Sequence, residues 1–426
     1  MPRNRVAIIG GGYAGMAAAV TLAQAGIPVT VFEAGKTLGG RARAVMLPHA
    51  ATPIDNGQHL LLGAYHTTLQ LIATVNSAPQ PWLRQPLQLH SINGLQLHAP
   101  HLPAPWHSLF ALLHARGLTL YQRGQAVRFI RAQQRQDFNL AHDQTVAELL
   151  HAQPTHLIEH LWQPLCLAAL NTPIALASAQ VFLHVLRDSL TGARHHSDLI
   201  LPTTDLSALF PEPAARFVGQ HHGRVITHHR VSAIEINNHA FSVDGETFDY
   251  IICAVAPHQL TALITPLAAL ASVVQQVSAL HYHSIATVWL QYNTDVRLPR
   301  AMTGLTSMLT QWIFDRGITH GQHGLLAAVI SIPPEHLTHA ALSTQVIHEL
   351  QHWLSLPAQP RWHQTIIEKR ATFSCSRGVT RPQQVTPLRN FYLAGDYTAS
   401  RYPSTLESAT QSGVKCAQYI LTTLHN

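Results

Sequence analysis

Residues 6–15 read Val6-Ala7-Ile8-Ile9-Gly10-Gly11-Gly12-Tyr13-Ala14-Gly15, and this stretch decides the fold. Four apolar residues make a short buried strand, and the glycines that follow satisfy G-x-G-x-x-G. Met16 to Gln24 is alanine-rich and helical, Gly26 closes that helix, and Val29-Thr30-Val31-Phe32 is a second strand ending at Glu33. Strand, glycine turn, helix, strand and acid in this order make a complete βαβ unit. Gly10 permits the tight turn, Gly12 lets the backbone approach a pyrophosphate, and Gly15 lets helix and strand pack closely. The helix start, with Ala14 in its first turn, offers free N–H groups and a positive dipole end to phosphates. Glu33 stands where a carboxylate accepts hydrogen bonds from both hydroxyls of an adenosine ribose.

The remaining composition narrows the class. Of 426 residues, 46% are hydrophobic and 11% charged, against roughly 25% charged in an ordinary soluble domain. Disorder is excluded by the hydrophobic content, and the length suits two or three domains of ~150 residues. The net charge of +6 comes from 24 Arg and three Lys. No run of basic residues marks a nucleic-acid arm, so no nucleic-acid partner is expected. The diffuse positive balance fits an anionic cofactor or an anionic membrane surface. Cys166, Cys253, Cys375 and Cys416 lie far apart with no C-x-x-C pair, the pattern of reduced thiols in a cytoplasmic protein. The 31 His lack metal-ligand spacing and read as polar surface residues, so no metal is expected. The uncharged stretch from Val6 to Phe32 resembles a signal peptide or span in charge alone. Its five glycines and Pro28 interrupt a continuous helix.

Leu38-Gly39-Gly40-Arg41-Ala42-Arg43 resembles the G-G-R signature of the flavin amine oxidase and phytoene desaturase superfamily. The resemblance implies FAD, with Gly40 and Arg41 at its diphosphate and ribityl region and Arg43 as a second anion contact. Asp55-Asn56-Gly57-Gln58-His59 resembles the D-x-G segment of that superfamily, which would set Gly57, Gln58 and His59 beside the isoalloxazine ring. Asn390 to Asp396 looks like its ribityl motif, with Gly395 and Asp396 as the contacts. Pro403-Ser404-Thr405-Leu406-Glu407-Ser408-Ala409 opens a final helix whose first turn, at Thr405 and Leu406, would aim N–H groups at the flavin N1–C2=O edge and stabilise the anionic reduced ring. Ser408 departs from the glycine common there, which puts close flavin approach in question. Val225–Ile236 and Phe241–Cys253 read as a β-hairpin with Val231 at the centre of its first strand. By the same resemblance, the Val231 backbone would meet the adenine, and Asp249–Pro257 would be a strand returning to the nucleotide sheet.

The expected fold is therefore α/β: a Rossmann-like FAD-binding domain of amine oxidase and phytoene desaturase type, carrying an inserted mixed α/β substrate domain. The FAD domain is discontinuous (1–75, 205–262 and 385–426), and 76–204 with 263–384 build the substrate domain. Two stretches, Gln85–Ala115 and Tyr250–Thr294, contain no charged residue, and prolines break both before a membrane span accumulates. In the first, Trp106, Leu109, Phe110 and Leu113 follow helical spacing. That face reads as buried core, with a membrane-contacting entrance as the functional alternative.

Several segments in and beside the substrate domain narrow the resemblance. Leu161 to Pro173, Ser197 to Pro202, Asp205 to Phe210 and Glu368 to Phe373 look like segments of the squalene-associated FAD-dependent desaturases, now understood as hydroxysqualene dehydroxylases. The similarity spans nearly the whole chain. It implies a hydrophobic C30 isoprenoid substrate and reductive loss of an allylic hydroxyl, with hydride from flavin N5. An external donor, either NAD(P)H or a reductase, would reduce the flavin, since no second G-x-G-x-x-G is present. It also implies a cytoplasmic enzyme of hopanoid synthesis, with peripheral contact at the inner face of the membrane as an option. A hydroxyl leaves poorly, so an acid should protonate it. His59 is the candidate, with Asp55 and Tyr397 behind it. Lys369 raises the amine-oxidase question, because those enzymes often hold a lysine near N5. An oxidative carotenoid desaturase or amine oxidase, and a non-catalytic prenyl-binding escort, stand as the alternatives.

Overall fold

The computed structural model describes residues 5–425 apart from 77–78, 93, 238–239 and 307. Strand β1 (Val6–Ile9), helix α1 (Tyr13–Gln24) and strand β2 (Val29–Phe32) form the expected unit. Three strands from distant parts of the chain join them: β3 (Arg224–Ile226), β4 (Tyr250–Cys253) and β5 (Phe391–Leu393). All five run parallel in the order β3-β2-β1-β4-β5. Strand β1 is buried throughout, as a parallel strand covered on both faces must be. Successive side chains serve opposite faces. Val6 and Ile8 pack with Met16 of α1 and with Cys416 and Ile420 of the closing helix Leu406–His425. Ala7 and Ile9 belong to the core on the other side, with Phe241 and Phe248.

The mid-chain hairpin is corrected. Val225–Ile236 is not one strand: β3 ends at Ile226, a loop carrying Val231 follows, and Ile234–Asn237 begins a separate antiparallel sheet. Phe241–Cys253 is likewise three strands, Ala240–Val243, Glu246–Phe248 and β4. The break falls at Asp244 and Gly245, both with positive φ, the backbone of a two-residue hairpin turn.

A second, seven-stranded sheet has the order 362–373, 282–291, 325–331, 312–315, 302–305, 88–92, 96–98. Helices α2 (Trp106–Leu113) and α3 (Leu120–Arg135) stand beside it. Here the core reading of the α2 stripe is overturned. Trp106, Phe110 and Leu113 are exposed, and only Leu109 packs inward. The buried side of α2 is formed by His107, Ala111 and Leu112. All four cysteines are buried and unpaired. Among the described residues, no helix is long and apolar enough to cross a membrane.

Candidate FAD and substrate site

A cavity of about 1470 Å³ opens at the carboxyl ends of β1, β2 and β4 and continues against the seven-stranded sheet. Ligands of open parallel sheets bind at that end. Every sequence-predicted cofactor residue lines the cavity except Gly15. Gly15 stands behind the turn, where a Cβ would fall 1.9 Å from the Gly10 carbonyl oxygen. It acts by close packing rather than contact. Gly10 has φ +111°, and a Cβ there would meet the Ala254 carbonyl oxygen at 2.7 Å. No other residue fits that corner.

Whether these residues suit FAD is decided by what they leave open. Helix α1 has no side-chain cap and no acid in its first turn, so its orphan N–H groups face the cavity ready for an anion. A Cβ on Gly12 would touch nothing nearer than 3.9 Å, leaving room for a diphosphate against the backbone. Glu33 is fixed by the N–H groups of Gly11 and Gly35, each donating at 2.7 Å to a different carboxylate oxygen. Each oxygen keeps acceptor capacity for a ribose hydroxyl. The residues fit the cofactor.

Arg41 and Asp396 meet directly as an ion pair, and Arg41 also donates to the Ala371 carbonyl at 2.8 Å. Burial works against the Arg41 charge, but Asp396, with Glu368 and Tyr282 adding to it, more than offsets this and leaves the pKa raised. Ser404 donates to the other Asp396 oxygen. Arg43 donates to the Gly40 carbonyl at 2.6 Å and stays on the cavity wall. Ser408 turns away from the cavity. Its hydroxyl donates to Pro403 O at 2.8 Å and accepts from Thr405 N at 3.0 Å, so it caps the closing helix without occupying flavin space. Glu407 reaches across to accept from the Thr67 and Thr68 amides, tying this helix to His66–Val75.

The 55–59 segment divides its labour. Asn56, Gly57, Gln58 and His59 line the cavity, whereas Asp55 does not. Asp55 is buried, accepts from Leu206 N at 2.7 Å, and pairs with Arg316. Nothing local in the sequence announced Arg316, which lies on a short helical turn, Arg316–His320. The His59 Nδ1 lies 2.7 Å from the Gly57 carbonyl, so Nδ1 carries the proton and Nε2 is an acceptor. Burial lowers the His59 pKa, and the Gly57 bond only partly opposes this. A neutral imidazole with its N–H already engaged is not a standing proton donor, which argues against His59 as the acid. Lys369 is exposed and off the cavity, while its neighbour Glu368 lines the wall.

Away from the glycine turn the lining becomes apolar, with Leu112, Trp162, Phe182, Leu186, Trp312 and Phe314 among its side chains. The Leu161–Pro173 segment contributes directly: a π-turn at Ile158–Trp162 precedes a helix over Gln163–Leu170, and π-turns recur at functional sites. Among the described residues, four buried polar atoms of the cavity lining lack a partner: the Trp162 Nε1, the Asn171 Oδ1 and the hydroxyls of Tyr282 and Tyr397. Burial pushes the Tyr282 phenol up to about 12. Burial also raises the Tyr397 phenol well above its ordinary value.

The flavin-containing amine oxidoreductase pattern matches residues 13–421, and the chain belongs to that family. It is an FAD-dependent oxidoreductase. Over 98% of its length it is 27% identical to the hydroxysqualene dehydroxylase of Rhodopseudomonas palustris, 98% of which is covered. The Sinorhizobium fredii hydroxysqualene dehydroxylase is 26% identical over 99% of both chains. Cyclohexylamine oxidase from Brevibacterium oxydans shares the fold, with a TM-score of 0.72 and 16% identity over the full length of each.

Proposed function

We propose that this enzyme removes the allylic hydroxyl of hydroxysqualene reductively, giving squalene and water. The observation that carries the reading is a single cavity joining the dinucleotide cradle to a long apolar wall. Near-full-length similarity to two hydroxysqualene dehydroxylases supports it. A C30 chain suits such a wall: ten buried methylenes contribute ~8 kcal/mol, the scale of micromolar binding.

Bound and reduced FAD would supply the hydride that replaces the hydroxyl at the allylic carbon. The protein's residues prepare that exchange. Glu33 and the α1 amides hold the nucleotide half, and Arg41 with Asp396 fixes the ribityl side. In the apolar half, a substrate hydroxyl needs polar partners, because an unpaired polar group there costs about 1–3 kcal/mol. The Tyr282 hydroxyl, kept protonated by burial, donates to the leaving oxygen, and the Asn171 amide oxygen accepts from it. The aromatic rings of Trp162, Phe182, Trp312 and Phe314 shelter cationic character at the allylic carbon. An external reductant restores the cofactor after each turnover.

The test is anaerobic: reduce the yellow protein, add hydroxysqualene, and follow flavin absorbance while extracting products. Flavin reoxidation with squalene formation is expected. Reduced flavin that persists rejects the reading and moves oxidative desaturation of a polyene ahead.

A further inference from the structure

Helices α2 and α3 form the outer wall of the apolar half of the cavity. Their inner side supplies Ser108, Leu112 and Ile130 to its lining. Their outer side carries large apolar groups open to solvent, among which the Phe110 ring stacks on His114. Trp106, Phe110 and Leu113 lie along one stripe of α2, with Trp106 50% exposed. At the start of α3, Leu120 is 81% and Tyr121 66% exposed. Arg123 donates to the carbonyls of Leu113 and Leu118 and so fixes the corner between the two helices. Five large apolar side chains gathered on one rigid corner differ from the scattered single exposures normal on a soluble surface.

Along this stretch of chain, up to Asp137, the charge has one sign. From Asn56 to Gln136 the sequence holds six arginines and no Asp, Glu or Lys. Arg116 lies between the helices, and Arg128, Arg131 and Arg135 are exposed on α3. Tyr121, Arg128 and Arg135 recur every seven residues and share one side of that helix. None of these four arginines forms an ion pair with another described residue.

We propose that the α2–α3 corner docks into the headgroup region of an anionic phospholipid bilayer. Trp106, Phe110, Leu113, Leu120 and Tyr121 seat below the phosphates, and the arginines pair with them. An apolar patch continued along α3 by a row of unpaired guanidinium groups complements a surface that is apolar inside and anionic at its face. The wall that meets lipid is then the wall behind which the apolar cavity lies, so a water-insoluble substrate can enter from the bilayer without crossing water. The proposal stands on exposure and charge, and its test reads vesicle binding without turnover, separately from the dehydroxylase reading.

Because the native cysteines are buried, a Leu113→Cys variant can be labelled selectively with an environment-sensitive fluorophore. The yellow holoprotein is expected to show a blue shift with vesicles containing phosphatidylglycerol, and little with phosphatidylcholine alone at the same salt. A label at Val385→Cys, exposed in the loop before β5, should not respond. Exchanging Arg128, Arg131 and Arg135 together for Gln should weaken vesicle binding about a hundred-fold, about five-fold for each charge. These side chains are exposed, and retained flavin reports that each variant is folded. Phe110→Ser alone provides a milder second variant, expected to weaken binding at every salt concentration. Absence of a shift with anionic vesicles, or undiminished binding by the arginine variant, overturns the proposal. So does a shift that follows protein concentration without lipid, which would assign the corner to a second copy of the chain.

Discussion

Arg316 and Asp55, 261 residues apart, form a buried ion pair with Nη1 2.8 Å from Oδ2. The guanidinium also lies over the Trp289 ring and takes Gln322 as a partner through Nε at 2.9 Å. Burial raises the Asp55 pKa and lowers that of Arg316, with their mutual attraction only partly opposing it. Desolvation is thus the larger effect, and the pair acts by fixing the start of the segment that carries Gly57, Gln58 and His59. Removing either partner strands the other charge, a loss of about 3–5 kcal/mol. Arg316→Met and Asp55→Asn are each expected to lower the melting temperature and loosen flavin. The double variant should recover most of the stability, and a double-mutant cycle by denaturant titration measures the coupling. Strictly additive losses would dissolve the pair as a unit.

Glu33→Ala and Asp396→Ala should release FAD. Each removes a charged acceptor, about 1.5–3 kcal/mol per hydrogen bond, or roughly ten- to hundred-fold in Kd. The ratio of 450 nm to 280 nm absorbance after desalting reads the outcome. Stoichiometric yellow cofactor in either variant would remove that residue from the cradle.

His59 and Tyr282 separate two accounts of the leaving hydroxyl. Tyr282→Phe should lower turnover at least ten-fold with flavin retained, because a buried partner of the substrate oxygen is lost. His59→Ala should alter the flavin spectrum more than the rate. The reverse ranking would return the proton to His59.

At Gly413 the closing helix lies directly against α1: a Cβ there would fall 2.0 Å from the Ala14 carbonyl oxygen. Gly413→Ala should cost about 1–3 kcal/mol by overpacking and shift the helix start that faces the diphosphate. Thermal unfolding with and without added FAD tests both effects, and an unchanged melting temperature would contradict this contact.

His320 is held neutral by burial, with Arg316 adding to the effect, and its pKa falls to about 3. Nε2 lies 3.2 Å from the Thr204 carbonyl and Nδ1 2.7 Å from the Thr319 hydroxyl. The unfolded chain takes up a proton near the ordinary value of 6.5, while the folded protein does not until about pH 3. Stability from this site is therefore complete above pH 6.5 and falls as pH drops toward 3, by ~3 kcal/mol at pH 4. His320→Gln should flatten the acid limb of a stability–pH curve measured by urea unfolding. An identical limb in variant and parent would exclude His320 as its source.

The stretch from Val6 to Glu33 was legible because its constraints are local, whereas the closing segment was read through its resemblance to the flavin amine oxidases. A turn with φ +111° at Gly10 admits glycine and little else, and an acid at the end of the second strand of a βαβ unit has one geometry. Such requirements are written within a few residues of where they act. The sequence alone thereby determined the dinucleotide fold, the glycine cradle and Glu33. Tertiary structure decided the rest. Only folding brings Arg41 onto Asp396 and Arg316 onto Asp55, since each contact joins chain segments hundreds of residues apart. The two faces of α2 show the same limit. Helical periodicity located an apolar stripe at Trp106, Phe110 and Leu113, but which side of a helix is buried depends on what packs against it. Here the cavity claimed the opposite side, leaving the stripe to solvent or lipid.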